Sequence, residues 1–145
     1  MRVLLDTSVL VPALVPALSQ HEKAAPHLEA VHRGEISLVI SGHALAECYS
    51  SLTALPVSPA LTPGQARRLI EENIAEAADE IVGLGGPEYL GALQRMTDLG
   101  LESGAVYDAL HVLCAETASA DELRTFNGTD FRRMPPKGAT DLVVL

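Results

Sequence analysis

Arg2-Val3-Leu4-Leu5-Asp6-Thr7-Ser8 decides how this chain is read. Val3, Leu4 and Leu5 form an unbroken apolar run, the mark of a short strand covered on both faces. The run ends on Asp6, Thr7 and Ser8, three consecutive residues of the kind that cap a helix. A buried strand that gives way at once to a helix is the repeating step of an α/β fold.

Outward from this step the alternation continues. His21–Arg33 is a polar helix closed by Gly34, and Ile36–Ile40 is a second β-branched strand. Ser41-Gly42 opens a helix that runs to Leu55, with Ala44, Leu45, Cys48, Leu52 and Leu55 at helical spacing. Pro56–Thr62 is a loop, after which Thr62 and Pro63 restart a helix as N-cap and first residue. A third strand is expected over Glu80–Leu84, a turn at Gly85-Gly86, and a helix over Pro87–Leu99 stopped by Gly100. Gly104–Ser119 is apolar nearly all round and is expected to be the buried central helix. Glu122–Phe126 supplies a fourth strand leading into a turn at Asn127-Gly128, and Leu142–Leu145 a last one. The pattern predicts one α/β domain over residues 1–145, a sandwich with a mainly parallel central sheet and helices on both faces.

Composition narrows the function. The 145 residues are 48% hydrophobic and 20% charged, so the chain can bury a full core. Aromatics make up 3%, which argues against an aromatic platform for single-stranded bases. The net charge of −9 excludes a basic surface that coats nucleic acid. It does not exclude nucleic acid as a substrate, because carboxylates that gather divalent cations make a site that accepts phosphate. Cys48 and Cys114 are too few for a disulfide framework and lack the spacing of a zinc site, which suits a reducing cytoplasm. The apolar stretch Val9–Leu18 is interrupted by Pro12 and Pro16 and is too short to span a bilayer.

Ligands of open parallel sheets sit beyond the carboxyl ends of the strands. Asp6 follows the first strand directly, and Asn127 and Asp130 follow the fourth. Glu47 comes from the helix after the second strand, and Asp108 lies within the apolar central helix beside Val106, Ala109 and Leu110. An unpaired carboxylate in such surroundings is costly, which makes Asp108 the least expected of the set. Each residue also has a purely structural reading. Asp6 serves as a helix cap, Glu47 as a solvated helix residue beside His43, Asp108 as a buried acid bonded to backbone or arginine, and Asn127 with Asp130 as a turn.

Taken together, Leu4-Leu5-Asp6-Thr7-Ser8-Val9-Leu10, Ala46-Glu47, Gly104-Ala105-Val106-Tyr107-Asp108-Ala109-Leu110-His111 and Thr125-Phe126-Asn127-Gly128-Thr129-Asp130-Phe131 resemble the PIN-domain nucleases, above all the VapC-type toxins of toxin–antitoxin pairs. The resemblance spans nearly the whole chain and implies a PIN-like three-layer sandwich. It implies that Asp6, Glu47 and Asp108 form an acidic cluster that binds Mg2+ or Mn2+ for a metal-dependent endoribonuclease. The family usually carries a fourth acid two residues after the threonine matched by Thr125. Asn127 stands there instead, and Asp130 is a second family position able to compensate. Asp6, Glu47, Asp108 and Asp130 are thus the implied catalytic residues, with Asn127 added to the same four as metal ligands. Thr7, Ser8 and Thr125 would support them, and Arg132 and Arg133 would meet RNA phosphates. The resemblance further implies a VapB-like antitoxin, a homodimer and no membrane attachment.

Hard oxygen donors suit Mg2+ or Mn2+, and no serine or cysteine nucleophile is then required. The alternative is an inactive PIN scaffold kept as a partner-binding module, motivated by Asn127. Two other enzymes fail on residues. A haloacid-dehalogenase-type phosphatase needs an acid where Ser8 stands, and a receiver domain needs one after the third strand, where Leu84-Gly85-Gly86 follows.

Overall fold

The computed structural model describes all residues, Met1–Leu145. Its centre is a five-stranded sheet of β1 (Arg2–Leu5), β2 (Ser37–Ser41), β3 (Ala78–Val82), β4 (Glu122–Thr125) and β5 (Asp141–Val144). The spatial order is β3-β2-β1-β4-β5 and every pairing is parallel. Around it lie α1 (Thr7–Leu14), α2 (His21–His32), α3 (Gly42–Ala54), α4 (Pro63–Ile70), α5 (Gly86–Asp98), α6 (Ala105–Thr117) and α7 (Gly128–Arg133).

Alternation along the strands divides the core in two. Val3, Leu5, Leu38 and Ile40 point to one face, where they pack with α1, α2, α3 and α4. Leu4, Val39 and Leu123 point to the other, onto Val112, Cys114 and Ala115 of α6. Val3–Leu5 of β1 and Leu38–Ile40 of β2 are fully buried and therefore read as continuous apolar runs, as parallel strands covered on both sides must. The expected three-layer α/β sandwich is what the chain forms, with a sheet that is parallel throughout.

Local details differ from the sequence expectations. Pro12 does not break α1, which continues to Leu14. β3 begins two residues earlier than Glu80 and ends before Leu84, with a register shift opposite Leu38 and Val39. Asp79 falls in that bulge, and its carboxylate accepts the Leu38 N–H at 3.1 Å. A π-helical turn, Glu71–Ala75, extends α4. Asn127-Gly128 is no simple turn but opens the short helix α7. No helix is long and apolar enough to cross a membrane.

Candidate active site

The strand order reverses at β1, which has β2 on one side and β4 on the other. A crevice beyond the carboxyl ends is expected at such a point, and Asp6 and Thr125 stand at it. Asp6 is 3% exposed and caps α1, its Oδ1 accepting from Val9 N at 3.3 Å and from Ser8 Oγ at 2.7 Å. Its Oδ2 accepts from Thr125 Oγ1 at 2.7 Å. Burial raises the Asp6 pKa, against the pull of Ser8 and Thr125. Ser8 Oγ also accepts the Phe126 N–H at 2.9 Å, and Thr125 Oγ1 accepts the Asn127 N–H at 2.8 Å. Two hydroxyls thus tie the ends of β1 and β4 together around one carboxylate.

Glu47 is held differently. Its Oε1 lies 2.7 Å from His43 Nε2, one turn earlier on α3, and 3.3 Å from His111 Nε2 on α6. His111 is 2% exposed and its Nδ1 is 2.9 Å from Ser41 Oγ. Ser41 Oγ already accepts the Ala44 N–H as the cap of α3, so its own proton is free for His111 Nδ1. Burial pushes the Glu47 carboxyl up, but His111, then Thr7 and His43, outweigh it and hold the pKa below the usual glutamate range. These contacts are close yet poorly aligned. Thr7 Oγ1, His43 Nε2, Glu47 Oε1 and His111 Nε2 are all shut off from water without a well-directed hydrogen bond.

Asp108, in the first turn of α6, is half-buried. Burial, the Asp130 charge and, more weakly, Asp6 and Glu47 push its carboxyl up to about 6, with His111 opposing. Asp130 is oriented by Asn127, whose Nδ2 donates to Oδ2 at 2.9 Å, while Arg133 stands 3.8 Å from Oδ1. Asp6 just after β1, Glu47 on α3 and Asp130 on α7 thus all act through their charges on the Asp108 carboxyl of α6. No three acids or imidazoles are already gathered into a group that could hold an ion. Arg132 and Arg133 are exposed on α7. Sequence reasoning set His43 beside Glu47 but missed that His43 and the buried His111, backed by Ser41, enclose its carboxylate. The (i,i+4) spacing of His43 and Glu47 is the one signal that pointed to it.

Residues 3–136 match the PIN domain family. Ribonuclease VapC27 of Mycobacterium tuberculosis is 38% identical over 116 residues, which are 80% of this chain and 78% of that protein. Among solved structures, Mycobacterium tuberculosis VapC20, described as a sarcin-ricin loop cleaving toxin, has a TM-score of 0.70 at 12% identity, covering 91% of this chain and 95% of that one. VapBC2 from Rickettsia felis, bound to a DNA fragment from its promoter, has a TM-score of 0.67 at 19% identity over 100% of this chain and 99% of that chain. The family match over most of the length, and a curated relative at this identity, make the chain a member of the PIN-domain family of the VapC ribonuclease type.

Proposed function

We propose that this protein is the toxin of a toxin–antitoxin pair and hydrolyses RNA phosphodiester bonds with Mg2+ or Mn2+ at Asp6, Glu47, Asp108 and Asp130. The observation that carries the reading is Asp108. An acid pushed up to about 6 by burial and by three other acids marks a donor set that a cation would relieve.

The residues present fit such an ion. The donors are hard carboxylate oxygens, and Mg2+ is commonly held by only one or two of them, with water completing the shell. The missing three-ligand cage is therefore no obstacle. A carboxylate offers about four acceptor positions. Asp6 uses three of these, on Ser8, Val9 and Thr125, which leaves one on Oδ2. Glu47 is fixed through Oε1 and would offer Oε2. Asp108 would be the ligand least committed elsewhere, and Asp130, steered by Asn127, would take the part of the missing fourth acid. A bound divalent cation would lower the pKa of a coordinated water and neutralise phosphate charge.

This chain's own residues then keep the acids in place. Ser8 and Thr125 fix the orientation of Asp6, His43 and His111 fix that of Glu47, and Arg132 and Arg133 would meet the flanking RNA phosphates. The VapB-like antitoxin and the homodimer belong to the same proposal and rest on the family alone. The test is cleavage of RNA with Mg2+ or Mn2+ by the unmodified protein, by Asp6→Ala and by Asp108→Ala. Loss in both variants supports the assignment, and equal cleavage by all three removes it. A protein that neither cleaves RNA nor takes up Mn2+ saturably is the inactive scaffold.

A further inference from the structure

His43 and Tyr107 belong to helices on opposite faces of the sheet, α3 and α6, yet their rings stack, with centroids 5.0 Å apart and planes 12° from parallel. Both are rooted beside acids of the site. Tyr107 immediately precedes Asp108, and His43 Nε2 reaches Glu47 Oε1 at 2.7 Å. Although the imidazole backs it, Tyr107 remains 52% exposed. The pair is thus a ring pinned flat against a neighbour and open to solvent, bridging the two helices that carry Glu47 and Asp108.

The chain's charge of −9 gives it little of the cationic footprint that usually supplies nucleic-acid affinity. Stacking on a base is insensitive to that charge. A ring already immobilised by a partner also loses less freedom on binding than a loose one. The low aromatic content argues against an extended platform, but a single backed ring does not need one.

We infer that Tyr107, backed by His43, is a stacking subsite for one unpaired nucleobase of the RNA, next to the phosphodiester that the acids hydrolyse. The inference rests on the ribonuclease reading and deepens it. Every base has a π-face, so the subsite tolerates any of the four, but the base must be unstacked from its neighbours.

The experiment uses the Mn2+-loaded protein and a single-stranded RNA oligonucleotide that it cleaves, with Tyr107→Phe, Tyr107→Leu and Tyr107→Ala. Tyr107 is exposed and leucine is a good helix former, so the leucine variant keeps the fold, which circular dichroism verifies. Leu and Ala should raise KM about tenfold, within the range one stacked base contributes, and should lower kcat less. Phe should restore most of the loss. An abasic nucleotide beside the cut should raise KM for the unmodified protein and abolish the further penalty of Tyr107→Leu. As a readout apart from cleavage, 2-aminopurine at that nucleotide should be quenched on binding by the unmodified protein and not by Tyr107→Leu. Cleavage by the unmodified protein with unaltered KM and quenching in Tyr107→Leu overturns the stacking subsite alone. A fall in kcat with unchanged KM assigns Tyr107 to support of Asp108 and also overturns it. Absence of RNA cleavage by the unmodified protein refutes the ribonuclease reading and this subsite together.

Discussion

Replacing Asp108 by asparagine removes a charge that the fold resists. Burial, then the charge of Asp130, push this carboxyl up to about 6 from an ordinary 3.8, with lesser contributions from Asp6 and Glu47. A carboxyl that holds its proton more tightly folded than unfolded stabilises the fold below the unfolded pKa. That contribution is lost as pH rises through the folded value, here about 6. A rise of this size corresponds to at most about 3 kcal/mol. Asp108 is half-buried, and solvent screening cuts this to about 1.5 kcal/mol. Asparagine has nearly the same shape and no charge at any pH. For a chain of this size the difference is roughly 5 °C in melting temperature. In EDTA at pH 8, Asp108→Asn should melt that much above the unmodified protein, and the two should converge near pH 4. Differential scanning calorimetry from pH 4 to 8 reads the effect directly. Mn2+ should raise the melting temperature of the unmodified protein well above its effect on the variant. Parallel pH curves for the two proteins would refute the reasoning, because repulsion at Asp108 would then have no share in stability.

Asp6→Ala uncaps α1 and strands the donors Ser8 and Thr125, so besides losing RNA cleavage it should lose about 2–3 kcal/mol in urea unfolding. An unchanged urea midpoint would deny the carboxylate its structural role. Ser41→Ala removes the cap of α3 together with the partner of His111, at about 1–2 kcal/mol. It should also lower kcat for RNA by loosening Glu47, and a variant that lost stability without losing kcat would separate His111 from catalysis. Gly128→Ala puts a methyl 2.6 Å from Val144 Cγ1 and 2.9 Å from Cγ2, a clash between α7 and β5 that should cost about 1–3 kcal/mol. Adding Val144→Ala should recover most of it, and thermal denaturation of the single and double variants checks both steps. Asn127→Asp exchanges a donor to Asp130 for a like charge. In EDTA it should melt lower than the unmodified protein, while calorimetric titration should show tighter Mn2+ binding; unchanged affinity would remove position 127 from the site.

Asp6 was legible because two independent needs fall on it, the cap after a strand and the acid at a strand's carboxyl end. The structure satisfies the first outright, since Asp6 accepts from Val9, and capping therefore does not compete with a role in the site. Glu47 was much less legible. Its helix face resembles a solvated one, and the imidazole that encloses it is on α6, 64 positions along the chain, reached only through the packing of α3 against α6. Strands β1 and β2 declared themselves because burial on both faces forces continuous apolar runs. β3 did not. It is an edge strand with exposed Asp79 and half-buried Glu80 at its bulge, and Ile81-Val82-Gly83-Leu84 drew the expectation toward the carboxyl side. α7 was missed for a simpler reason: six residues are too few for a helical period to show.

The four acids are not equivalent, and the way each is neutralised ranks them. Asp6 has three neutral donors, Glu47 has two imidazoles, and Asp130 has the Asn127 amide with Arg133 farther off. Asp108 has no hydrogen-bond or ion-pair partner among the protein's own groups, and Asp108 is the acid whose pKa is pushed up to about 6. Donors that satisfy Asp6, and the imidazoles that crowd Glu47 Oε1, hold those residues in place at the expense of free acceptor capacity. The carboxylate without donors keeps its full capacity and bears the repulsion of the others. A divalent cation entering such a set would gain most at Asp108, so this residue, more than the firmly anchored Asp6, should govern how tightly Mn2+ binds in the proposed site.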